Sequence, residues 1–334
     1  MTATPPAPEP ESSTTGSAQI FAIFLRLGLT SFGGPVAHIG FFRDEFVNRR
    51  RWLDDRAYAD LVALCQFLPG PASSQVGLAI GLIRHGYAGA LSAWLGFTLP
   101  SAIVMAVCGL GMLGYGNVIP PELLHGLKIA ALAVVANALY GMARTLCPGP
   151  RHAGFALLAA IAMLVGDQSW LQVGVIALAA IAGRLLLIVD DTTPDTVSLP
   201  LSIGKGAAIA AAALFGILLV VLPLLVWALP DAAMLAIADV FYRVGSLVFG
   251  GGHVVLPLLQ AELVPTGWID DSAFIAGYGV AQTVPGPLFT FAAYLGAVVA
   301  PHGVAGGVVG ATVAVLAVFQ PSLLLVVAAL PFRA

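Results

Sequence analysis

One short phrase occurs twice in this chain, 217 residues apart, and each copy places an arginine inside apolar sequence. Because every internal spacing is kept, the two copies form an internal duplication. Arginine at bilayer depth is costly and normally faces a protein interior, a wet cavity or an anionic ligand. The sequence therefore predicts two related halves. The shared positions are Phe24, Arg26, Gly28, Phe32, Gly33 and Gly34, and then Phe241, Arg243, Gly245, Phe249, Gly250 and Gly251.

The composition predicts an all-α integral membrane protein. Hydrophobic residues make up 59% of the chain, charged residues only 9%, and the mean hydropathy is +0.96. A soluble domain carries about 25% charged residues. The net charge of −3 leaves no basic surface for nucleic acid. The three cysteines lack any metal-ligand spacing, so neither a metal nor a cofactor is expected.

About ten apolar segments follow a short polar tail, and most reach the ~20 residues that a spanning helix needs. The segment 153–166 is short enough to dip into the membrane without crossing it. The predicted organisation is a disordered tail (1–17), a first half (18–189), a linker with a connecting transmembrane helix (190–232) and a second half (233–334). This second half is incomplete, because nothing in it answers residues 114–189 of the first. The segments are 18–42, 57–83, 87–115, 123–146, 153–166, 170–189, 207–229, 233–262, 272–299 and 303–331.

The duplication continues beyond the arginines. Each half carries a Trp-x-Asp-Asp loop, at Trp52 and at Trp268, and then a Gln-x-x-Pro-Gly-Pro motif. The offset falls there to 216, which implies one gap in the loop. Further on, Pro100-Ser101 corresponds to Pro321-Ser322. Duplication on this scale is typical of transporters built from two related bundles.

The loop charges predict that the second half is inverted relative to the first. The first loop holds five arginines, whereas its counterpart, 263–271, has no lysine or arginine and two aspartates. By the positive-inside rule the first loop is cytoplasmic and the second external. Seven crossings between the two copies would give the same inversion, although that count depends on residues 153–166.

Glycine and proline motifs interrupt segments that would otherwise form continuous helices, and they predict broken helices. Opened backbone survives at membrane depth only where it is buried in protein or lines a wet cavity. A helix that restarts after such a break presents free N–H groups and suits an anion. Alternatively, the glycines allow close helix packing and each arginine pairs with a carboxylate, as Asp239 suits Arg243. The predicted oxyanion-binding residues are Arg26, Gly33, Gly34, Gln66, Gly70, Arg243, Gly250, Gly251, Gln282 and Gly286.

Four further residues are candidates for proton coupling. His38 and His253 follow the glycine breaks, although at different positions of the repeat. Asp60 and Glu262 lie near the ends of apolar stretches. A helix-end histidine bonded to a carbonyl and an interfacially solvated carboxylate are the alternatives.

Three stretches of this chain closely resemble the signature regions of the chromate ion transporter family. They are Ser31-Phe32-Gly33-Gly34-Pro35-Val36-Ala37-His38, the loop Arg49-Arg50-Arg51-Trp52-Leu53-Asp54, and the run from Cys65 to Gln75 around Pro69-Gly70-Pro71. The resemblance implies a multi-pass carrier of the bacterial inner membrane that expels chromate, with sulfate as the related oxyanion.

Other functional classes stay open at this point. A passive oxyanion channel would use the same positive cavity. A non-transporting remnant or subunit is suggested by the incomplete second half, which also predicts self-association into a homo-oligomer. Membrane lipid is the remaining expected partner. An enzyme is not expected, since no nucleophile and base recur together.

Overall fold

The computed structural model describes residues 16–115, 149–165, 204–248, 255–301 and 303–333, with scattered positions between 122 and 147 and between 174 and 185. These residues are helical or form turns and loops, with no β-strand among them. Residues 1–15 of the predicted tail and 190–203 of the predicted linker lie outside the described residues, whereas Ser17 is already the first residue of α1. The chain divides into two compact units, one formed by Met1–Lys128 and Thr196–Ala334, the other by Ile129–Asp195.

The helices follow the apolar segments of the sequence. Two short 3₁₀ turns, Leu288–Thr290 and Leu330–Arg333, and a π-helical stretch, Asp44–Arg49, extend them. Helix α5 belongs to the smaller unit. The helices are α1 (Ser17–Thr30), α2 (Gly34–Arg43), α3 (Asp55–Phe67), α4 (Ala72–Tyr115), α5 (Pro150–Val165), α6 (Lys205–Ala228), α7 (Ala233–Leu247), α8 (Val255–Leu263), α9 (Asp271–Thr283), α10 (Phe291–Val299) and α11 (Gly303–Ala329).

The predicted all-α membrane class is confirmed. Among the described residues, three helical stretches are long and apolar enough to cross a membrane, and they lie in α4, α6 and α11. Helix α6 exposes large apolar side chains around its surface, including Trp227 at 84% and Ile209 at 62%. An exposed apolar surface of this kind is unfavourable in water and is the expected surface toward lipid.

Helices break where the glycine and proline motifs predict. Gly33 and Gly34 have φ of 97° and 78°, a left-handed conformation that favours glycine, and they separate α1 from α2. Pro35 then occupies the first turn of α2, where its missing N–H is tolerated. In the second half, α7 ends at Leu247 and α8 begins at Val255. Gly250 and Gly251 lie between these ends, outside the described residues.

The Pro-Gly-Pro motifs interrupt both halves in the same way. Helix α3 ends at Phe67 before the first motif and α9 ends at Thr283 before the second. The central glycines, Gly70 and Gly286, have φ of 119° and 105°. These values are readily accessible only to glycine, so both motifs impose the same turn.

The Trp-x-Asp-Asp loops have equivalent local structures. Asp54 accepts a hydrogen bond from the Ala57 amide at 2.7 Å and thereby caps α3. Asp270 accepts one from the Ala273 amide at 2.9 Å and caps α9. Each loop therefore starts the helix that leads into the next break.

Helix packing repeats between the halves. Helix α1 packs closely on α4, where a Cβ on Gly28 would clash with the Phe97 carbonyl. Helix α7 packs closely on α11, where a Cβ on Gly245 would clash with the Val318 carbonyl. Since Gly28 and Gly245 are duplicated positions, both halves use the same close backbone approach to bring their breaks inward.

Candidate functional site

Each Pro-Gly-Pro break is held by the opposite half. The Gly70 amide donates a hydrogen bond to the Val248 carbonyl at 2.7 Å, and the Gly286 amide donates one to the Ser31 carbonyl at 3.0 Å. Ser31 and Val248 are 217 residues apart and occupy the same position of the repeat, at the ends of α1 and α7. The two hydrogen bonds are therefore reciprocal. They bring the broken segments of both halves together.

A second reciprocal contact involves the duplicated Pro-Ser motif. A Cβ on Gly70 would clash with Ser322 Oγ, and a Cβ on Gly286 would lie 2.8 Å from Ser101 Oγ. Ser322 lies on α11 and Ser101 on α4, so each break faces a serine hydroxyl across a close contact. A side chain at either glycine is therefore disfavoured both by the close serine and by the positive φ.

Buried polar side chains surround the first break. Helix α4 restarts after it with Ser73, Ser74 and Gln75, which are all buried. Gln75 Nε2 donates to the Pro69 carbonyl at 2.7 Å and so stabilises the opened loop. Ser74 Oγ and Gln75 Oε1 have no hydrogen-bond partner among the described residues. Buried polar atoms normally have a partner, so these atoms point to a bound polar species.

His38 connects the Gly-Gly break to the first Pro-Gly-Pro break. Its Nδ1 lies 3.3 Å from Ser73 Oγ, and its ring packs edge-on against Phe97 at 5.2 Å. The side chain is buried, and Nε2 has no hydrogen-bond partner among the described residues. If Nδ1 accepts from the serine, Nε2 carries the proton and is a donor.

Arg243 is paired with two carboxylates. It contacts Asp239 at 3.1 Å and Glu262 at 3.0 Å and 3.2 Å, the latter a two-pronged contact. Its side chain is 30% exposed, whereas the side chain of Asp239 is 7% exposed. The pairing with Asp239 is the one that the i, i+4 spacing indicates. Arg243 therefore neutralises buried negative charge in this structure.

Arg26, the duplicate of Arg243, has different surroundings. It lies exposed on α1, and the described residues contain no ion pair to its guanidinium. The duplicate of Glu262 is Glu45, but Glu45 pairs with Arg49 at 3.0 Å and Arg50 at 2.6 Å instead. In the first half, arginines of the basic loop therefore neutralise the Glu45 carboxylate. Arg26 is left without a carboxylate partner among the described residues.

The other predicted site residues differ in how far they are buried. Gln66 is exposed at the end of α3. Its duplicate Gln282 is half-buried, with Nε2 buried and lacking a partner among the described residues. Asp60 is half-buried on α3 and takes part in an interaction within the protein. Gly250, Gly251 and His253 lie outside the described residues.

Sequence reasoning did not single out the buried serines and Gln75 as candidate site residues. Ser31 and Ser322 are fully buried, and the hydroxyl of each lacks a partner among the described residues. The duplicated Pro-Ser motif was a usable signal, because a polar residue kept twice within apolar helices needs a partner. Gln75 had no such signal, since position 291, its counterpart, is phenylalanine. Within the part of the chain that the structure describes, no cluster of metal-ligating side chains occurs.

Comparison with known proteins identifies the relatives of this chain. A chromate transport protein of Pseudomonas aeruginosa is 28% identical over 91% of this chain and 70% of its own length. A chromate transport protein of Cupriavidus metallidurans is 28% identical over 94% of this chain and 74% of its own length. An uncharacterized transporter of Methanocaldococcus jannaschii is 26% identical over 93% of this chain and 75% of its own length. No solved structure matches the chain.

The profile of the chromate transporter family matches residues 18–184 and 235–334. These two ranges contain both arginines, both Pro-Gly-Pro breaks and both Pro-Ser motifs. The reciprocal contacts described above therefore join the two matched regions. The chain belongs to the chromate transporter family.

Proposed function

We propose that this protein is a secondary transporter that exports chromate across the bacterial inner membrane, with sulfate as a second oxyanion. The family and the names of its relatives support the substrate class. The reciprocal hydrogen bonds of Gly70 and Gly286 carry the structural part of the proposal. They bring opened backbone from both halves to one place in an apolar protein, which is the usual arrangement of a transporter binding site.

The proposed site lies between the broken helices. Chromate and sulfate are tetrahedral dianions, so they require several hydrogen-bond donors and a positive potential. Opened backbone, the start of α4 and buried hydroxyls supply donors, and the helix dipole supplies positive potential. The glycines at the breaks allow the backbone to approach an anion closely. Gln66 and Gln282, three residues before each Pro-Gly-Pro motif, are proposed to donate to an anion that enters or leaves the site.

The two arginines are proposed to act in sequence. Arg26, with no carboxylate partner among the described residues, attracts the oxyanion. Arg243 is held by Glu262 and Asp239, so it becomes available when a carboxylate is protonated. Protonation of Glu262 would exchange its contact with Arg243 for an oxyanion contact, which couples the proton to the anion. His38, Asp60 and His253 are further candidates for carrying the coupled proton.

The test is flux in proteoliposomes that contain the purified full chain. Radiolabelled chromate uptake is measured with and without an imposed proton gradient, and unlabelled sulfate is the competitor. A carrier gives saturable chromate flux that responds to the gradient and is inhibited by sulfate. Flux that is neither saturable nor coupled indicates a passive channel, and no flux above empty liposomes indicates a non-transporting chain. Either result would overturn the proposal.

A further inference from the structure

The two halves share the broken backbone but not the buried polar side chains. Three positions beside the first break are polar, and their duplicates are apolar. This difference is unexpected if both breaks bind the anion equally, because a shared site would keep its polar side chains in both halves. The three pairs are His38 and Val255, Ser73 and Phe289, and Gln75 and Phe291.

At two duplicated positions both halves carry a hydroxyl group, but the hydrogen bonding of that hydroxyl differs between the halves. Ser101 faces the second break and donates to the Thr98 carbonyl at 3.1 Å, whereas Ser322 faces the first break and has no partner among the described residues. Thr290 follows the second break and donates to the Pro287 carbonyl at 2.8 Å. Its duplicate Ser74 follows the first break and lacks a described partner. The hydroxyls of Ser101 and Thr290 are therefore bonded within the protein, whereas those of Ser74 and Ser322 have no partner among the described residues.

The first break also has the better helix terminus. Helix α4 is continuous from Ala72 to a kink at His85 and Gly86, and its first-turn amides have no partner within the helix. Ser322 Oγ, on a side chain with 0% exposure, lies against Gly70 just before this terminus. At the second break a three-residue 3₁₀ turn precedes α10, so a comparable helix terminus is absent there.

We infer that the oxyanion binds at the first break alone, held by the hydroxyls of Ser74 and Ser322, by His38 Nε2 and by the amides that begin α4. This inference rests on the proposed transport function. The second break is a structural counterpart that holds the end of α1. The site itself is made from neutral donors, because the proposed contacts of Arg26 and Arg243 are made as the anion enters or leaves it. The one side chain that the second half contributes to the site is Ser322.

Neutral donors suit a transported dianion. They supply hydrogen bonds to its oxygens without a fixed charge that would retain it strongly, and the start of α4 supplies part of the positive potential. Hydroxyl hydrogens rotate toward an acceptor, so the same site accommodates chromate and sulfate, which differ in size. A transported ion must bind and also leave, so moderate binding by neutral groups is an advantage.

The duplicated serines provide a matched test. Ser322→Ala and Ser101→Ala are made in the full chain, and binding of radiolabelled sulfate to the purified proteins is measured by equilibrium dialysis, with chromate as competitor. We expect Ser322→Ala to weaken sulfate binding about ten- to a hundredfold, since it removes a hydrogen bond to a charged group. Ser101→Ala should keep the wild-type affinity and unfold at a lower temperature, because it removes a formed hydrogen bond.

A second pair of variants, Ser74→Ala and Thr290→Val, separates a loss of sulfate affinity from a loss of stability. Ser74→Ala should weaken binding without lowering the unfolding temperature, whereas Thr290→Val should lower the unfolding temperature without weakening binding. Equal losses of affinity within each pair would overturn the single-break site, as would normal affinity in both Ser322→Ala and Ser74→Ala. If the wild-type protein neither binds nor transports either oxyanion, the proposed function itself fails.

Discussion

Arg26 and Arg243 show how a duplicated residue acquires a different role in each half. Their positions in the repeat are identical, yet Arg243 is paired with Asp239 and Glu262 while Arg26 is exposed. Removing Arg243 would leave the buried carboxylate of Asp239 without its counter-charge, and an uncompensated buried charge is costly. No comparable penalty follows from removing Arg26.

We therefore expect Arg243→Ala to unfold at a distinctly lower temperature than the wild type, and Arg26→Ala to unfold normally. Both variants should lose chromate flux. Arg26→Lys should rescue flux only in part, since lysine keeps the charge but lacks the planar fork that binds two oxygens. Thermal unfolding in detergent and flux in proteoliposomes measure the two effects. Normal flux in both alanine variants would mean that the arginines do not serve the anion.

The sequence predicts only part of this residue-scale picture. The contact between Arg243 and Asp239 follows from i, i+4 spacing in any helix. The contact with Glu262 joins α7 to α8, and the first half does not make the equivalent contact. Spacing along the chain does not predict which arginine pairs with the glutamate of each half. In the first half this pairing depends on how the loop arginines reach Glu45 in the folded protein.

At the scale of the helices, close packing at glycine positions brings the breaks together. Gly245 allows α7 to approach the Val318 carbonyl on α11, and Gly28 does the same for α1 on α4. A methyl group at either position requires the helices to separate. By contrast, a Cβ on Gly216 in α6 would meet no atom within 4 Å.

We expect Gly245→Ala to destabilise the protein by about 1–3 kcal/mol, the usual cost of overpacking. Gly216→Ala is the matched control and should be neutral or slightly stabilising, because alanine favours a helix more than glycine does. Thermal unfolding of both variants in the same detergent tests this pair. A larger loss in Gly216→Ala would contradict the packing described for α7 and α11.

The cap of α9 gives a prediction of pH dependence. A hydrogen bond from the Ser272 side chain, and next one from the Ala273 amide, lower the pKa of the exposed Asp270 carboxyl from its ordinary value. A carboxyl with a lowered pKa in the folded protein stabilises it above the unfolded pKa, near 4, and this contribution is lost as the pH falls through the folded pKa.

Asp270→Ala should therefore cost about 1 kcal/mol or less at neutral pH, in the range of a lost N-cap at an exposed site. The difference in unfolding temperature from the wild type should shrink as the pH falls below about 4. Ser272→Ala should show a smaller effect with the same sign. A difference that grows on acidification would contradict the cap described here.

Sequence patterns predicted the helix breaks more completely than the helix contacts. Pro-Gly-Pro and Gly-Gly interrupt helices for local steric reasons, so both Pro-Gly-Pro breaks and the first Gly-Gly break occur where expected. The reciprocal bonds between Gly70 and Val248 and between Gly286 and Ser31 depend on tertiary packing. The only feature of the sequence that indicated a contact between each break and the opposite half was the duplication itself.

At the scale of the whole molecule, the duplication predicts an inverted arrangement that labelling can test. Asn48 and Thr266 are exposed residues beside the two equivalent Trp-x-Asp-Asp loops, of which the first is rich in arginine and the second has none. In a variant without Cys65, Cys108 and Cys147, a single cysteine at each position should react with a membrane-impermeant maleimide from opposite sides. We expect Asn48→Cys to label from the cytoplasmic side. Labelling of both from one side would exclude the inversion.

The reciprocal backbone bonds also constrain how such a chain arises. Neither half satisfies its own opened backbone, because the Gly70 amide needs Val248 and the Ser31 carbonyl needs Gly286. An unsatisfied backbone group in an apolar interior costs several kcal/mol. A protein made of one such half alone would therefore need a second copy of that half to complete these bonds.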